Sequence, residues 1–154
     1  MSRYILDTGI LLGYLRGAKY AAYVESVYSP FKSPNTSAIS IVSKAELYSL
    51  AIQFGWGLNK QNALAKLLRE VPQIDINREE LFRMYAEIDS YSLGRNKLHP
   101  LPSGAAGMKM GKNDLWIAAT ASVLQATLLT IDHHFDHLDG EFMTVKYVDQ
   151  SATF

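Results

Sequence analysis

Short apolar runs alternate with helical patterns along this chain, and that alternation restricts its fold more than any other feature. Tyr4-Ile5-Leu6 stops at Asp7-Thr8-Gly9: a buried strand meets a polar turn in which Asp7 or Thr8 can cap the next helix. Ile10, Leu11, Tyr14 and Leu15 recur at helical spacing up to Gly17, and Ala18 to Tyr28 supplies a second helical stretch before the Pro30 and Pro34 turns. Thr36 to Val42 alternates like a strand, and Ser43 with Glu46 three residues on matches a capping box at the head of the next helix. Asn59 opens a helix with Leu64, Leu67 and Leu68 inward. Gln73 to Ile76 reads as a short strand, and Leu81, Met84, Tyr85 and Ile88 mark an amphipathic helix. Asp114 heads the most apolar helix, Leu115 to Leu124, and Thr127 to Ile131 and Thr144 to Val148 are strands. Strands alternating with helices predict an α/β fold, a mainly parallel sheet with helices on both faces, and sites in such sheets form beyond the carboxyl ends of the strands.

At 154 residues the chain suits one domain, 1–154, large enough to bury a core without the disulfides or Cys-based zinc sites that its lack of cysteine excludes. Asp7 breaks the first apolar run before it can serve as a signal-peptide core, and the longest run, Leu115 to Ile131, is short and polar for a membrane span. A soluble, cytoplasmic protein without a membrane partner is expected. The 15 Lys+Arg balance 15 Asp+Glu, which excludes a protein that coats nucleic acid or an anionic surface by bulk charge. It leaves a local basic site open.

Among these acids, Asp7, Glu46, Asp114 and Asp132 stand at strand ends or helix starts, which in a parallel sheet can be one edge. Taken singly, each is explained as a helix cap or capping-box member. Taken together, convergence would raise the pKa of some and destabilise the metal-free fold, and a hard divalent cation would relieve the repulsion.

Tyr4-Ile5-Leu6-Asp7-Thr8-Gly9, Ser43-Lys44-Ala45-Glu46-Leu47, Gly111-Lys112-Asn113-Asp114-Leu115-Trp116 and Thr130-Ile131-Asp132-His133-His134-Phe135 resemble, in order and spacing, the motifs of PIN-domain ribonucleases, and more narrowly the VapC toxins of type II toxin–antitoxin modules. The likeness runs from residue 4 to about residue 148. It implies a three-layer α/β/α sandwich in which Asp7, Glu46, Asp114 and Asp132 bind Mg²⁺ or Mn²⁺, with Asp132 acting directly or through water. It further implies Thr8, Asn113 and Thr130 as groups that orient ligands or waters, and in-line hydrolysis of RNA phosphodiesters that leaves a 3′-hydroxyl and a 5′-phosphate. The expected partners are an RNA such as tRNA or rRNA, a cognate antitoxin and a second copy of the chain. Exposed apolar positions at Leu12, Tyr20, Tyr23, Val27 and Tyr28 could serve either protein interface or belong to the core.

Between Ser90 and Asn113 there is no acid, yet Arg95, Lys97, Lys109 and Lys112 occur, so this irregular stretch is a candidate RNA contact, with Arg16 as a further one. Tyr91 and Trp116 are candidates to stack on a base, Trp116 also to pack in the core. His133, His134 and His137 could form a zinc site, but a polar surface turn fits consecutive histidines better. Two rival readings stand beside the nuclease. One is a PIN-like RNA-binding or scaffold module without catalysis. The other is an aspartic protease using Asp7-Thr8-Gly9, which would require a nearly all-β fold.

Overall fold

The computed structural model describes residues 1–153. Its strands are β1 (Arg3–Leu6), β2 (Thr36–Ser40), β3 (Gln73–Ile74), β4 (Thr127–Thr130) and β5 (Thr144–Tyr147). The helices are α1 (Thr8–Arg16), α2 (Lys19–Val27), α3 (Ile41–Gln53), α4 (Leu58–Glu70), α5 (Glu79–Ser92) and α6 (Lys112–Val123), and a 3-10 turn (His133–Leu138) follows β4. The sheet order is β3-β2-β1-β4-β5 with every neighbouring pair parallel. From β1 the chain steps outward through β2 to β3, then returns to the other flank of β1 as β4. The order therefore reverses between β1 and β4, where crevices open beyond the strand ends.

Period-two alternation divides the core into two layers. Tyr4, Leu6 and Leu129 pack with Ile10, Leu11, Val24, Leu47 and Leu64 of α1 to α4 on one face. Ile5 and Leu128 pack with Leu81 and Ile88 of α5, Leu115 and Ala118 of α6, and Phe135 on the other. The expected α/β/α sandwich is thus realised. Among the described residues no helix is long and apolar enough to cross a membrane.

Two local details set the sheet edge. The first turn of α1 lies so close to the end of β4 that a Cβ on Gly9 would sit 2.7 Å from the Ile131 side chain and would have to displace it. At the other end Gly17 closes α1 with φ +63°, a left-handed conformation, and its N–H caps Gly13 and Tyr14 carbonyls.

Some boundaries differ from expectation. The Ile39-Ser40-Ile41-Val42 alternation suggests a strand through Val42, but β2 ends at Ser40 and the helix begins at Ile41. Ser40 holds an extended φ/ψ and its Oγ accepts from the Val42 N–H at 3.3 Å, so Ser40 is the cap and Ser43 lies inside α3. The capping box at Ser43 and Glu46 is therefore corrected. The irregular stretch also shrinks to residues 93–111, because α5 runs to Ser92 and α6 begins at Lys112. Met108 N donates to Ser92 O at 2.7 Å, returning the loop to the end of α5.

Candidate metal centre

Asp7 stands at the β1–α1 junction. Its N–H donates to Leu129 O at 2.9 Å, extending the β1–β4 pairing to the last residue before the helix. The residue is 7% exposed, and Oδ1 accepts from the Thr8 N–H at 2.8 Å. The cap expected of Asp7 is present, but it occupies only one oxygen. Oδ2 accepts from Thr130 Oγ1 at 2.7 Å, and Thr130 Oγ1 in turn accepts from the Asp132 N–H at 3.0 Å. One threonine hydroxyl thereby sets both acids that flank the β1–β4 crevice.

Glu46 arrives on the second turn of α3. Thr8 Oγ1 donates to Glu46 Oε1 at 2.7 Å and lies 2.9 Å from Ser43 Oγ. A threonine hydroxyl has one proton, so with that proton on Glu46 the Ser43 hydroxyl is the donor in the second contact. Glu46 is thus held by the residue after Asp7 rather than by its own helix end, and Ser43, one turn before it on the same helix face, braces that residue. The spacing of Ser43 and Glu46 was the available signal; reading it as a cap concealed the role.

Asp114 lies in the first turn of α6, and Asp132 caps the 3-10 turn by accepting from the His134 N–H at 2.8 Å. Asp132 Oδ2 is left to face His134 Nδ1 at 3.1 Å, and Asp114 Oδ2 lies 3.8 Å from the same nitrogen. His134 lies exposed in the surface turn, as expected, with its Nδ1 toward the two carboxylates. The three histidines form no common site: His133 bonds Asp136 at 2.7 Å and stacks on Tyr147, while His137 lies 2.7 Å from Ser92 Oγ.

Mutual proximity is visible in the electrostatics. Burial pushes the Asp7 carboxyl from 3.8 up to about 6; Asp114 and Glu46 add repulsion, against the opposing bonds from Thr130 and Thr8. Asp114 is also raised, first by burial and then by Asp132 and Glu46, with His134 opposing. Among the described residues no Lys or Arg forms an ion pair with any of the four acids. Hard oxygen donors crowded this closely are a donor set that suits Mg²⁺ or Mn²⁺.

The basic residues are not grouped. Lys112 and Asn113 line the cleft with Glu46 and Asp114, and Lys109 is exposed shortly before them. Arg95 and Lys97 lie on a stretch fastened away from it, where Asn96 Nδ2 donates to Glu87 at 2.9 Å and His99 pairs with Glu141 at 2.9 Å. Arg16 lies at the end of α1 opposite Thr8 and stacks 4.4 Å above the Phe54 ring. Tyr91 is buried among His99 and Phe142, which removes it as a base platform, and Trp116 packs 4.4 Å from Tyr85 on the α5 side. Of the expected interface residues Tyr20 is buried and Val27 exposed. Asp7-Thr8-Gly9 sits in an α/β sheet, not the all-β frame an aspartic protease needs.

The sequence matches the PIN domain family over residues 4–141. Among solved structures the chain is similar to VapBC2 from Rickettsia felis bound to a promoter DNA fragment, at 24% identity and TM-score 0.72, covering 96% of this chain and 99% of that one. It is also similar to VapBC-1 from nontypeable Haemophilus influenzae, at 23% identity and TM-score 0.65, covering 97% and 99%. A toxin–antitoxin complex from Klebsiella pneumoniae aligns at 17% identity and TM-score 0.63, covering 90% and 92%. No curated protein sequence matches the chain.

Proposed function

We propose that this chain, which belongs to the PIN-domain family, is a Mg²⁺- or Mn²⁺-dependent endoribonuclease and the toxin of a toxin–antitoxin pair. Two observations support the nuclease reading: Asp114 and Asp132 offer ligand atoms close enough for one ion, and Asp7 and Glu46 stand near enough to Asp114 to add repulsion to the burial that pushes the Asp7 carboxyl up to about 6. These four acids would hold the cation. When bound, the cation would polarise a phosphoryl oxygen and lower the pKa of an attacking water. Thr130 keeps Asp7 aimed, Thr8 with Ser43 keeps Glu46 aimed, and Asn113 borders the same cleft. Lys112 and Lys109 would hold phosphates beside the scissile one, with Arg95, Lys97 and Arg16 as more distant contacts. Water adds to phosphorus as the 3′ oxygen leaves and takes up a proton, so the products carry a 3′-hydroxyl and a 5′-phosphate.

The substrate is a structured RNA such as tRNA or rRNA, reached in the cytoplasm by a single nuclease domain spanning residues 1–154. The toxin assignment draws on the likeness to VapBC complexes. An apolar groove between α3 and α4, lined by Tyr48, Ile52, Trp56 and Leu64, offers a surface for an antitoxin or a second copy of the chain. Incubation of purified protein with total RNA and Mn²⁺, followed by mapping of the new ends, tests the activity. Internal cuts with the stated ends support it, and RNA retention without cuts supports the binding module. Growth arrest on expression, relieved by a neighbouring gene's product, supports the toxin role; cleavage without arrest points to an RNA-processing nuclease.

A further inference from the structure

We propose that His134 is a nitrogen ligand of the metal centre and biases it toward Mn²⁺ over Mg²⁺. The inference rests on the metal-centre reading above and adds a donor to the four carboxylates. One ligand atom each from Asp114, Asp132 and His134 lies within 4.8 Å of the other two. Nitrogen and oxygen donors bind first-row dications at about 2.0–2.2 Å, so adjacent octahedral donors stand about 3 Å apart and opposite ones about 4.2 Å. His134 Nδ1 is 3.1 Å from Asp132 Oδ2, the separation of adjacent donors, and 3.8 Å from Asp114 Oδ2, between the two limits.

The local fold aims this nitrogen. Asp132 caps the 3-10 turn through Oδ1, which commits that oxygen to the His134 N–H and leaves Oδ2 beside the imidazole. The same turn sends His133 to Asp136 and Tyr147, and His137 to Ser92, so the histidines beside His134 are engaged elsewhere. The His134 side chain is 64% exposed and supports no core packing; its Nδ1 faces Asp132 and Asp114, where a neutral imidazole offers a lone pair to a shared cation. Mg²⁺ favours oxygen donors and retained water, whereas imidazole strengthens binding of transition ions. One imidazole in an otherwise carboxylate site therefore widens the preference for Mn²⁺ over Mg²⁺.

Pulsed electron paramagnetic resonance of the Mn²⁺-loaded protein reads the nitrogen directly, and calorimetric titration with Mn²⁺ and with Mg²⁺ reads the bias. Wild type and His133→Gln should show ¹⁴N coupling to Mn²⁺, and His134→Gln should lose it. The ratio of Mn²⁺ to Mg²⁺ affinity should fall at least about 10-fold in His134→Gln, with Mg²⁺ binding little changed. Bound Mn²⁺ without ¹⁴N coupling in wild type, or coupling that persists in His134→Gln, overturns the inference while leaving the carboxylate site intact. Failure of wild type to bind Mn²⁺ overturns the metal-centre reading itself. Because the capping N–H belongs to the backbone, His134→Gln retains it, and a far-ultraviolet spectrum matching wild type confirms the comparison.

Discussion

The Thr130 hydroxyl donates to Asp7 Oδ2 across 2.7 Å, joining residues 123 positions apart at the ends of β4 and β1. The same oxygen accepts from the Asp132 N–H, so one side chain orients two acids of the proposed centre. Thr130→Val keeps the shape and removes both bonds. It should lower RNA cleavage and Mn²⁺ affinity by about 10- to 100-fold. Stability should fall by about 1–3 kcal/mol, since Asp7 loses a buried partner. Single-turnover cleavage and thermal melts separate the two effects.

Asp7 makes the metal-free protein less stable as pH rises. Its folded-state pKa of about 6 lies above the ordinary 3.8. Between those values the folded state holds more protons than the unfolded chain, so stability is fullest below about pH 4 and drains away as pH climbs to about 6. The penalty at neutral pH is about 3 kcal/mol at 1.36 kcal/mol per pKa unit. Melting of the metal-free protein across this range should show the decline, and saturating Mn²⁺ should offset it. Asp7→Asn should flatten the curve and raise stability at pH 7 by less than the full penalty, because its NH2 replaces one of the two oxygens that accept from Thr8 N–H and the Thr130 hydroxyl.

Glu46 depends on Thr8 more than on its own helix. Thr8→Val removes the donor at Glu46 Oε1, whereas Ser43→Ala removes only the brace behind it. Cleavage should fall by about 10-fold or more in Thr8→Val and by less in Ser43→Ala, with both proteins folded. Equal losses would mean that Ser43 acts on the site by another route.

Lys112 is the cation that shares the cleft wall with Glu46 and Asp114. Lys112→Ala should weaken RNA binding in EDTA and reduce the slope of log K against log salt by about 0.7–1. Arg16→Ala, at a more distant contact whose side chain stacks over Phe54, should reduce that slope by less than Lys112→Ala does.

The order of strands and helices is legible because each strand run is short, apolar and closed by a polar turn. The carboxylates are legible for the same reason: Asp7 and Asp132 interrupt apolar runs where a solvated acid has no reason to be. Pattern fails where one residue type serves two structures. Ile41 and Val42 favour a strand, yet Ser40 at an extended φ/ψ starts the helix before them. Ser43 and Glu46 fit a cap in one dimension and a brace for Thr8 in three. The basic run looks continuous, but hydrogen bonds at Asn96 and His99 draw half of it away from the cleft. His134 is hidden among neighbours that point elsewhere, since a 3-10 turn assigns adjacent residues to different sides.

The central claim, that Asp7, Glu46, Asp114 and Asp132 form one metal-dependent RNA-cleaving centre, is tested most directly by single-turnover cleavage of RNA by wild type and Asp114→Asn, each in Mn²⁺ and in EDTA. The account predicts cleavage by wild type in Mn²⁺, none in EDTA, and at least about a 100-fold loss in Asp114→Asn. Cleavage that survives EDTA, or that Asp114→Asn leaves intact, would contradict it.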